Sequence, residues 1–563
     1  MTIAAAPGSA PAGEAAPSMR TVVLASSAGT AFEWYDFFVY GALAPVIAVN
    51  FFSELEPTAG LIAAMALFAA GFLFRPVGAL IFGWLGDRYG RKGAFLATVI
   101  LMGAATFAIG LLPNYAQAGP VAVVLLVMLR ILQGLAVGGE YGGAAIYVAE
   151  HAAPQRRGLS TAWIQSSAAF GLLGAQGVVL LTRLQMGEEA FGEWGWRIPF
   201  LVSAGLLAVS IWMRLKLKES PEFERAKVEG RLSQAPFADV FLKWKNLKIV
   251  LIALVSIMGA QGAVWWCTFF YTQIFLESSV KLPAVFANLV LIVATIVSIP
   301  LYIFFGWLSD KIGRKPVLIF GMALALVAVF PSFHAIARGA NPALFAATKA
   351  SPVEVHADPA SCSFQFDLLG RVKYVSGCDI ARNMLTRAGA AFATVDVSPG
   401  EATVVRVGAA SVTVADGTGL DSTRLSALTA KTRADIQAAL VAAGYPASAN
   451  DARIDWTSIA FGLLALVVAA TAIYGPQAAA LVELFPTNVR YTALSVPYHI
   501  GVGWVGGFMP VTAFAIATAA GDIFAGLWYL VFFTVISVIC CLFLFPETRG
   551  RALGHADAVP AAS

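Results

Sequence analysis

A ten-residue stretch occurs twice in this chain, as Gly83-Trp-Leu-Gly-Asp87-Arg88-Tyr-Gly-Arg91-Lys92 and as Gly306-Trp-Leu-Ser-Asp310-Lys311-Ile-Gly-Arg314-Lys315. Each copy is short, charged and set between long apolar runs. A loop duplicated in that setting restricts the chain to two related halves, each a set of apolar segments. Composition decides what surrounds them: of 563 residues 59% are hydrophobic and only 12% charged, with a mean hydropathy of +0.76. Soluble domains carry about twice that share of charge. The apolar runs therefore read as membrane spans.

A span needs about 20 mostly apolar residues. Suitable runs lie at 21–50, 58–83, 93–112, 120–148, 159–183 and 197–216, and again at 247–276, 283–308, 316–337, 456–480, 491–519 and 522–546. The predicted fold class is an all-α membrane protein: about twelve transmembrane helices in two six-helix, pseudo-symmetric bundles, with a small α+β extracytoplasmic insert. The N-terminal bundle takes 20–216, a linker 217–246, and the C-terminal bundle 247–337 and 456–546, with the insert at 338–455 and a tail at 547–563. Residues 1–19 are Ala-, Pro- and Gly-rich without an apolar core. They read as a disordered tail and not as a signal peptide.

Lys and Arg set the orientation. Loops 84–92, 150–158, 214–246, 309–315, 483–490 and 547–551 are rich in them, whereas 51–57, 113–119, 277–282 and 520–522 carry almost none. The positive-inside rule puts both termini and the linker in the cytoplasm. The insert then faces the periplasm of a bacterial-type inner membrane. It has strand-like runs at 402–407 and 410–415, helix-like runs at 378–388 and 432–443, and a Gly/Asp turn at 416–419. Cys362 and Cys378 are its two cysteines, and an oxidising compartment favours a disulfide between them. Cys267, Cys540 and Cys541 lie in apolar runs and have no zinc or redox spacing.

Ionisable groups inside spans cost several kcal/mol and mark function by default. Glu33, Asp36 and Tyr40 share one face of the first span by their spacing. They suit a proton carrier and polar substrate contact; either carboxylate can instead pair with a cation and tie helices together. Arg75 lies within the second apolar run, and Arg130, Gln133 and Glu140 share a sector of the fourth. Two guanidinium forks suit an organic anion, while Arg75–Asp36 and Arg130–Glu140 are the alternative neutralising pairs. Uncharged or weakly basic polar groups in spans include Gln165, Gln261, Trp265, Tyr271, Tyr474, Gln477, Tyr498 and His499. Such groups also serve as contacts between helices.

Two motifs mislead. Gly501-Val-Gly503-Trp-Val-Gly506 matches a dinucleotide fingerprint but lies inside an apolar run with no preceding strand, so it reads as close helix packing. Lys243-Trp-Lys245-Asn-Leu-Lys248 is explained by lipid head groups. The basic residues sit in short loops, which gives no nucleic-acid face. No nucleophile–base pair or metal cluster supports an enzyme, and no cofactor is expected.

The duplicated loop resembles the signature of the major facilitator superfamily. Arg130-Ile-Leu-Gln133-Gly134 resembles its fourth-helix motif, and two further repeated pairs agree. One joins Glu150…Arg156-Arg157-Gly158 to Glu483-Leu-Phe-Pro-Thr-Asn-Val-Arg490; the other joins Lys218-Glu-Ser-Pro-Glu222 to Pro546-Glu-Thr-Arg-Gly550. Within the superfamily, Phe32–Gly41, Gly138–Gly143 and Trp194–Phe200 look like the metabolite:proton symporter family. That resemblance covers about 20–337 and 456–550 and leaves out the insert. It implies import of a small organic acid such as 2-oxoglutarate, citrate or shikimate, or of an osmolyte such as proline or betaine, coupled to protons. It implies work as a monomer in a lipid bilayer by alternating access, and supports Arg130 as a participant in proton coupling. It also implies a cytoplasmic gate of Gly83, Asp87, Arg88, Arg91, Gly306, Asp310, Lys311 and Arg314, with Glu150, Arg156, Glu483 and Arg490 beside it. Family sequences more often carry Asn where this chain has His499. A sensor that uses the insert to bind a ligand or partner, and a uniporter or exporter, remain as other readings.

Overall fold

The computed structural model describes residues 18–54, 63–64, 67, 71–216, 219–365 and 374–553. Among these, ten helices are long and apolar enough to cross a membrane. They are Arg91–Leu111, Pro120–His151, Pro154–Met186, Arg197–Leu215, Trp244–Ser279, Ala284–Ile312, Arg314–Ala340, Trp456–Leu484, Arg490–Ala520 and Ala525–Phe543. An eleventh is the bent pair Met19–Ala42 and Ala44–Phe51, which turn by 59° about Leu43. The second span is described continuously from residue 71, with a regular helix over Arg75–Tyr89; most of the first part of its expected range, like most of the expected N-terminal tail and of the C-terminal one, lies outside the described residues. Most of these helices run a few residues past the apolar stretch at the basic end. Charged residues there are buried in ion pairs between helices, so helix does not stop where hydrocarbon does.

Large apolar side chains such as Val327, Leu184 and Phe543 are more than 70% exposed. A helix surface of that kind is stable only against lipid. Inside the bundle small residues let backbones approach: a Cβ on Gly83 would lie 2.8 Å from the Cα of Thr492, so the second and eleventh spans touch there. Gly306 meets the carbonyl of Gly158 in the same way, joining the eighth span to the fifth. These two contacts cross between the halves. The seventh span carries π-helical turns at Leu254–Met258, Cys267–Tyr271 and Phe275–Ser279, and the eleventh at Ile500–Gly506. Gly501 and Gly506 press against Met258 and Trp266 of the seventh span, so the false dinucleotide motif is a packing site. Wide turns of this kind concentrate at functional positions.

Between the ninth and tenth spans the chain builds a four-stranded sheet of order β2-β1-β3-β4, from β1 Val353–Ala357, β2 Phe392–Asp396, β3 Thr403–Val407 and β4 Ala410–Val414. β1 and β2 are parallel and joined through helix Gly377–Ala388; the other pairings are antiparallel. Helix Ser422–Ala442 covers the sheet and begins ten residues before the expected 432. β1 and β2 were not foreseen: Val-Glu-Val-His-Ala is one short alternating run whose partners lie far away in sequence. The core of Val355, Ile380, Leu385, Val405 and Leu440 is separate from that of the bundle. Among the described residues the insert is hydrogen-bonded to the second half: Phe392 N–H to Gly521 O at 2.7 Å, Ala449 N–H to Lys281 O at 2.9 Å, and Asn341 Nδ2 to Val280 O at 3.0 Å. Gly521 has φ +69° and packs directly on Phe392, so a side chain there is excluded twice over.

Cys362 and Cys378 form a disulfide that ties the segment after β1 to the first turn of the following helix. Closing a loop of about 15 residues stabilises by about 3 kcal/mol in the chain-entropy account. Reduction, or Cys362→Ala with Cys378→Ala, is expected to weaken the insert by that order. Limited proteolysis of the full chain in detergent reads it: cleavage should accelerate within 353–445 and not in the spans. Unchanged cleavage there would refute the estimate.

Candidate functional site

At the basic end each duplicated loop reaches into the opposite half. Asp87 accepts the backbone N–H groups of Tyr491 (3.0 Å) and Thr492 (2.8 Å), at the start of the eleventh span, and pairs with Arg91 at 2.7 Å. Asp310 accepts those of Gly158 (2.9 Å) and Leu159 (2.8 Å), at the start of the fifth span, and pairs with Arg314 at 2.7 Å. A carboxylate on a helix N-terminus satisfies orphan donors and favours the helix dipole. Arg490 pairs with Glu150 at 2.5 Å, while Arg314 (3.2 Å) and Arg157 (3.4 Å) share Glu483. Glu219 binds the backbone N–H of Arg91 and Lys92, and Glu547 binds those of Arg314 and Lys315. The two aspartates, Glu150, Glu483 and their arginines are buried, the arrangement is pseudo-symmetric, and it holds the two halves together at this end.

Three residues expected in the gate stand outside it. Arg88, Lys311 and Arg156 are exposed and make no salt bridge among the described residues; Arg88 lies over Trp84 and Tyr89. The reason is a break in the helix: Gly90 (φ +126°) and Gly313 (φ +111°) end one helix and open the next, so the arginine that starts the second helix meets the buried aspartate near the end of the first, while the cation directly after the aspartate stays exposed. Arg157, next to Arg156, takes the inner place that sequence reasoning assigned to its neighbour.

In the first span the carboxylates separate. Glu33 pairs with Arg214 of the sixth span at 2.7 Å, so it follows the ion-pair alternative. Arg214 was read as part of a basic loop, yet it ends the sixth span, buried over Phe95. An arginine in phase with the helix's buried face was the available signal. Asp36 accepts the Ser203 hydroxyl at 2.5 Å and has no cation within ion-pair distance among the described residues. Tyr40 donates to the carbonyl of Ala64 at 3.2 Å, and Arg130 lies 4.1 Å from its ring. Arg130 donates to Gln133 (2.6 Å), which donates on to Thr106 (2.7 Å). Glu140 is buried, with Oε1 unpartnered and no salt bridge among the described residues. Ten residues at ~1.5 Å each put about 15 Å of helix between it and Arg130. Neither alternative pair, Arg75–Asp36 or Arg130–Glu140, is formed.

Arg75 is fully buried, its guanidinium 4.1 Å from the Phe72 ring and 4.4 Å from that of Phe37. Nε and Nη2 have no hydrogen-bond partner, and no carboxylate lies within ion-pair distance among the described residues. It lies within electrostatic reach of Tyr498 and Tyr474 of the other half. Those two hydroxyls are 3.0 Å apart, and the Tyr498 ring stacks on Tyr141 at 3.5 Å. Gln165 donates to the Tyr141 hydroxyl (2.9 Å) and the Tyr474 carbonyl (3.1 Å), and Gln477 to Tyr141 at 3.3 Å. His499 is buried edge-on to Tyr498. Trp265 donates to Tyr302 at 2.8 Å on the other wall. Sequence reasoning named Tyr474, Gln477 and Tyr498 only as polar groups inside spans and did not single out Tyr141. A tyrosine inside an apolar run gives no sign that two of them stack between halves.

The description of sugar (and other) transporters matches residues 21–236 and 435–559. The shikimate transporter of Escherichia coli K12 is 37% identical over 325 residues, 56% of this chain and 72% of that protein. The proline/betaine transporter of Salmonella typhimurium LT2 is 34% identical over 339 residues, 58% of this chain and 67% of that protein. Among solved structures, the proton:xylose symporter XylE bound to 6-bromo-6-deoxy-D-glucose superposes with a TM-score of 0.59 at 16% identity, over 95% of this chain and 98% of that one. That likeness concerns the fold alone.

Proposed function

This chain belongs to the sugar (and other) transporter family of the major facilitator superfamily, and we propose that it imports a small organic acid together with protons. It is a multi-pass membrane transporter and not an enzyme. In this reading both termini are cytoplasmic, the insert is periplasmic, and one chain in an inner membrane suffices. Arg75 carries the proposal. A buried guanidinium without a carboxylate is costly, and a substrate carboxylate is the partner it lacks. Phe37 and Phe72 hold the guanidinium face-on, which leaves Nε and Nη2 on its edge for the ligand. Tyr498, Tyr474 and Tyr141, with Gln165 and Gln477, supply donors and acceptors from both halves, so binding senses their relative position.

Asp36 and Glu140, buried carboxylates without cations, are the proton carriers of this reading; Glu33–Arg214 is structural, and Arg130–Gln133–Thr106 positions the first-span face. The latches at the basic end hold that end closed while the opposite end loads. A rival reading takes a zwitterion such as proline or betaine, in keeping with the relative of that name, with Asp36 or Glu140 facing its ammonium. Uptake into sealed proteoliposomes with an inward proton gradient decides. Shikimate, 2-oxoglutarate or citrate should accumulate and stop when the gradient is collapsed. Accumulation of proline or betaine alone would replace the acid by the osmolyte. No gradient-driven flux of any of them, with binding retained, would favour a sensor.

A further inference from the structure

A cleft of about 400 Å³ lies where the insert meets the second half, away from the central site. Among the described residues Lys281, Arg387 and Arg433 line it, with Glu277 as the only acidic one. Three cations against one carboxylate leave a net charge of +2 (3 − 1) in one cleft. None of the three cations has a carboxylate within ion-pair distance among the described residues, and Glu277 is held by the amide of Gln273 at 3.1 Å. Met384 and Tyr445 add an apolar wall.

The cations are placed by the fold. Lys281 turns the chain between the seventh and eighth spans with φ +61°, the one left-handed non-glycine among the described residues. Its ammonium donates to the carbonyl of Arg387 and its own carbonyl receives the N–H of Ala449, so two separate segments of the insert hold it. Strained backbone of this kind persists where the surroundings over-determine it, often at binding sites. Burial, and then the nearby Arg387 guanidinium, lower the Lys281 pKa, a sign of positive charge left uncompensated. Among the described residues Arg387 gives only Nε, to Asn383 (2.9 Å), and its terminal nitrogens make no hydrogen bond there.

We infer that this cleft binds a small dicarboxylate. The charge matches a dianion, two arginine forks suit carboxylates, and the apolar wall accommodates a short carbon chain. Its place suggests a use. Glu277 is one helical turn from Gln273, which also bonds Asn288 at 3.0 Å, and both line the cavity that Trp265 and Tyr302 close. An anion held here is already at the mouth of the path between the halves. That capture role rests on the organic-acid reading; the binding itself does not.

Titration calorimetry of the full chain in detergent with succinate tests it, in an Arg75→Gln background that removes the central guanidinium. The expected result is one succinate per chain, with affinity falling as salt rises from about 20 to 200 mM. Adding Arg387→Gln and Arg433→Gln should weaken it at least about tenfold, the effect of losing one charge-assisted contact. Both residues are exposed, and an unchanged melting temperature confirms the fold. The inference is overturned if Arg75→Gln binds no succinate, if the added substitutions leave the affinity unchanged, or if inorganic phosphate binds as tightly. If the parental protein imports none of succinate, shikimate, 2-oxoglutarate and citrate while this binding is intact, the substrate reading is refuted and the cleft stands.

Discussion

Arg75→Gln should abolish carboxylate uptake and leave the protein as stable as before. Removing one partner of a buried, hydrogen-bonded charge pair costs about 2–5 kcal/mol of binding. At 1.4 kcal/mol per decade that is a fall of roughly 30- to 4,000-fold in kcat/KM for the carboxylate. Stability separates this from a folding defect. In the free protein the guanidinium has no carboxylate to lose, so its replacement by a neutral amide strands no buried charge. Melting should stay level or rise. Arg75→Lys is the sharper control: it keeps the charge but not the planar fork, and an ammonium among Phe37 and Phe72 cannot bind a carboxylate through two parallel bonds. It should fail nearly as badly. Carboxylate import at the parental rate by Arg75→Gln would remove the anion from the reading.

The architecture was legible because lipid imposes a length and a sign rule on every span. Ten full helices fall within a few residues of the apolar runs, and the repeated Asp87 and Asp310 loops occupy equivalent places in the two halves. Charge partners were far less legible. Glu33 pairs with Arg214, 181 positions on (214 − 33), and neither pairing drawn for Arg75 or Arg130 exists. Periodicity tells which face of a helix a residue occupies but not which helix lies opposite. The same limit hid Tyr141 against Tyr498, and β1 beside β2 and β3 in the insert. The gate failed at single residues for a simpler reason: the helix breaks at Gly90 and Gly313, which brings the cation opening the next helix onto the aspartate and leaves the one directly after the aspartate exposed.

Neutralising the two latch aspartates should hold the protein open at the basic end. Asp87 receives two backbone donors of the eleventh span and the Arg91 guanidinium, and Asp310 does the same for the fifth span and Arg314. In each case the backbone donors belong to the opposite half, so those bonds exist only while this end is shut, whereas Arg91 and Arg314 belong to the same half as their aspartates. Asn keeps one acceptor oxygen but loses the charge, and the buried arginine is left facing a neutral group. Breaking a buried pair in this way costs about 3–5 kcal/mol, a factor of roughly 140 to 4,000 in the closed-to-open ratio at 1.4 kcal/mol per decade. One substitution should already expose the passage, and Asp87→Asn with Asp310→Asn should leave the closed form scarce. Ser495, buried at the meeting of the fourth and eleventh spans beside Gly142, reports it. With Ser495→Cys in a background in which Cys267, Cys540 and Cys541 are replaced, a membrane-impermeant maleimide applied from the basic side should react at least about 100-fold faster in the double variant, by the same ratio. Gradient-driven uptake should fall in parallel, because a carrier that cannot close this end cannot present its site to the other. Unchanged labelling would mean that the ion pairs, though buried and symmetric, do not set the conformational balance.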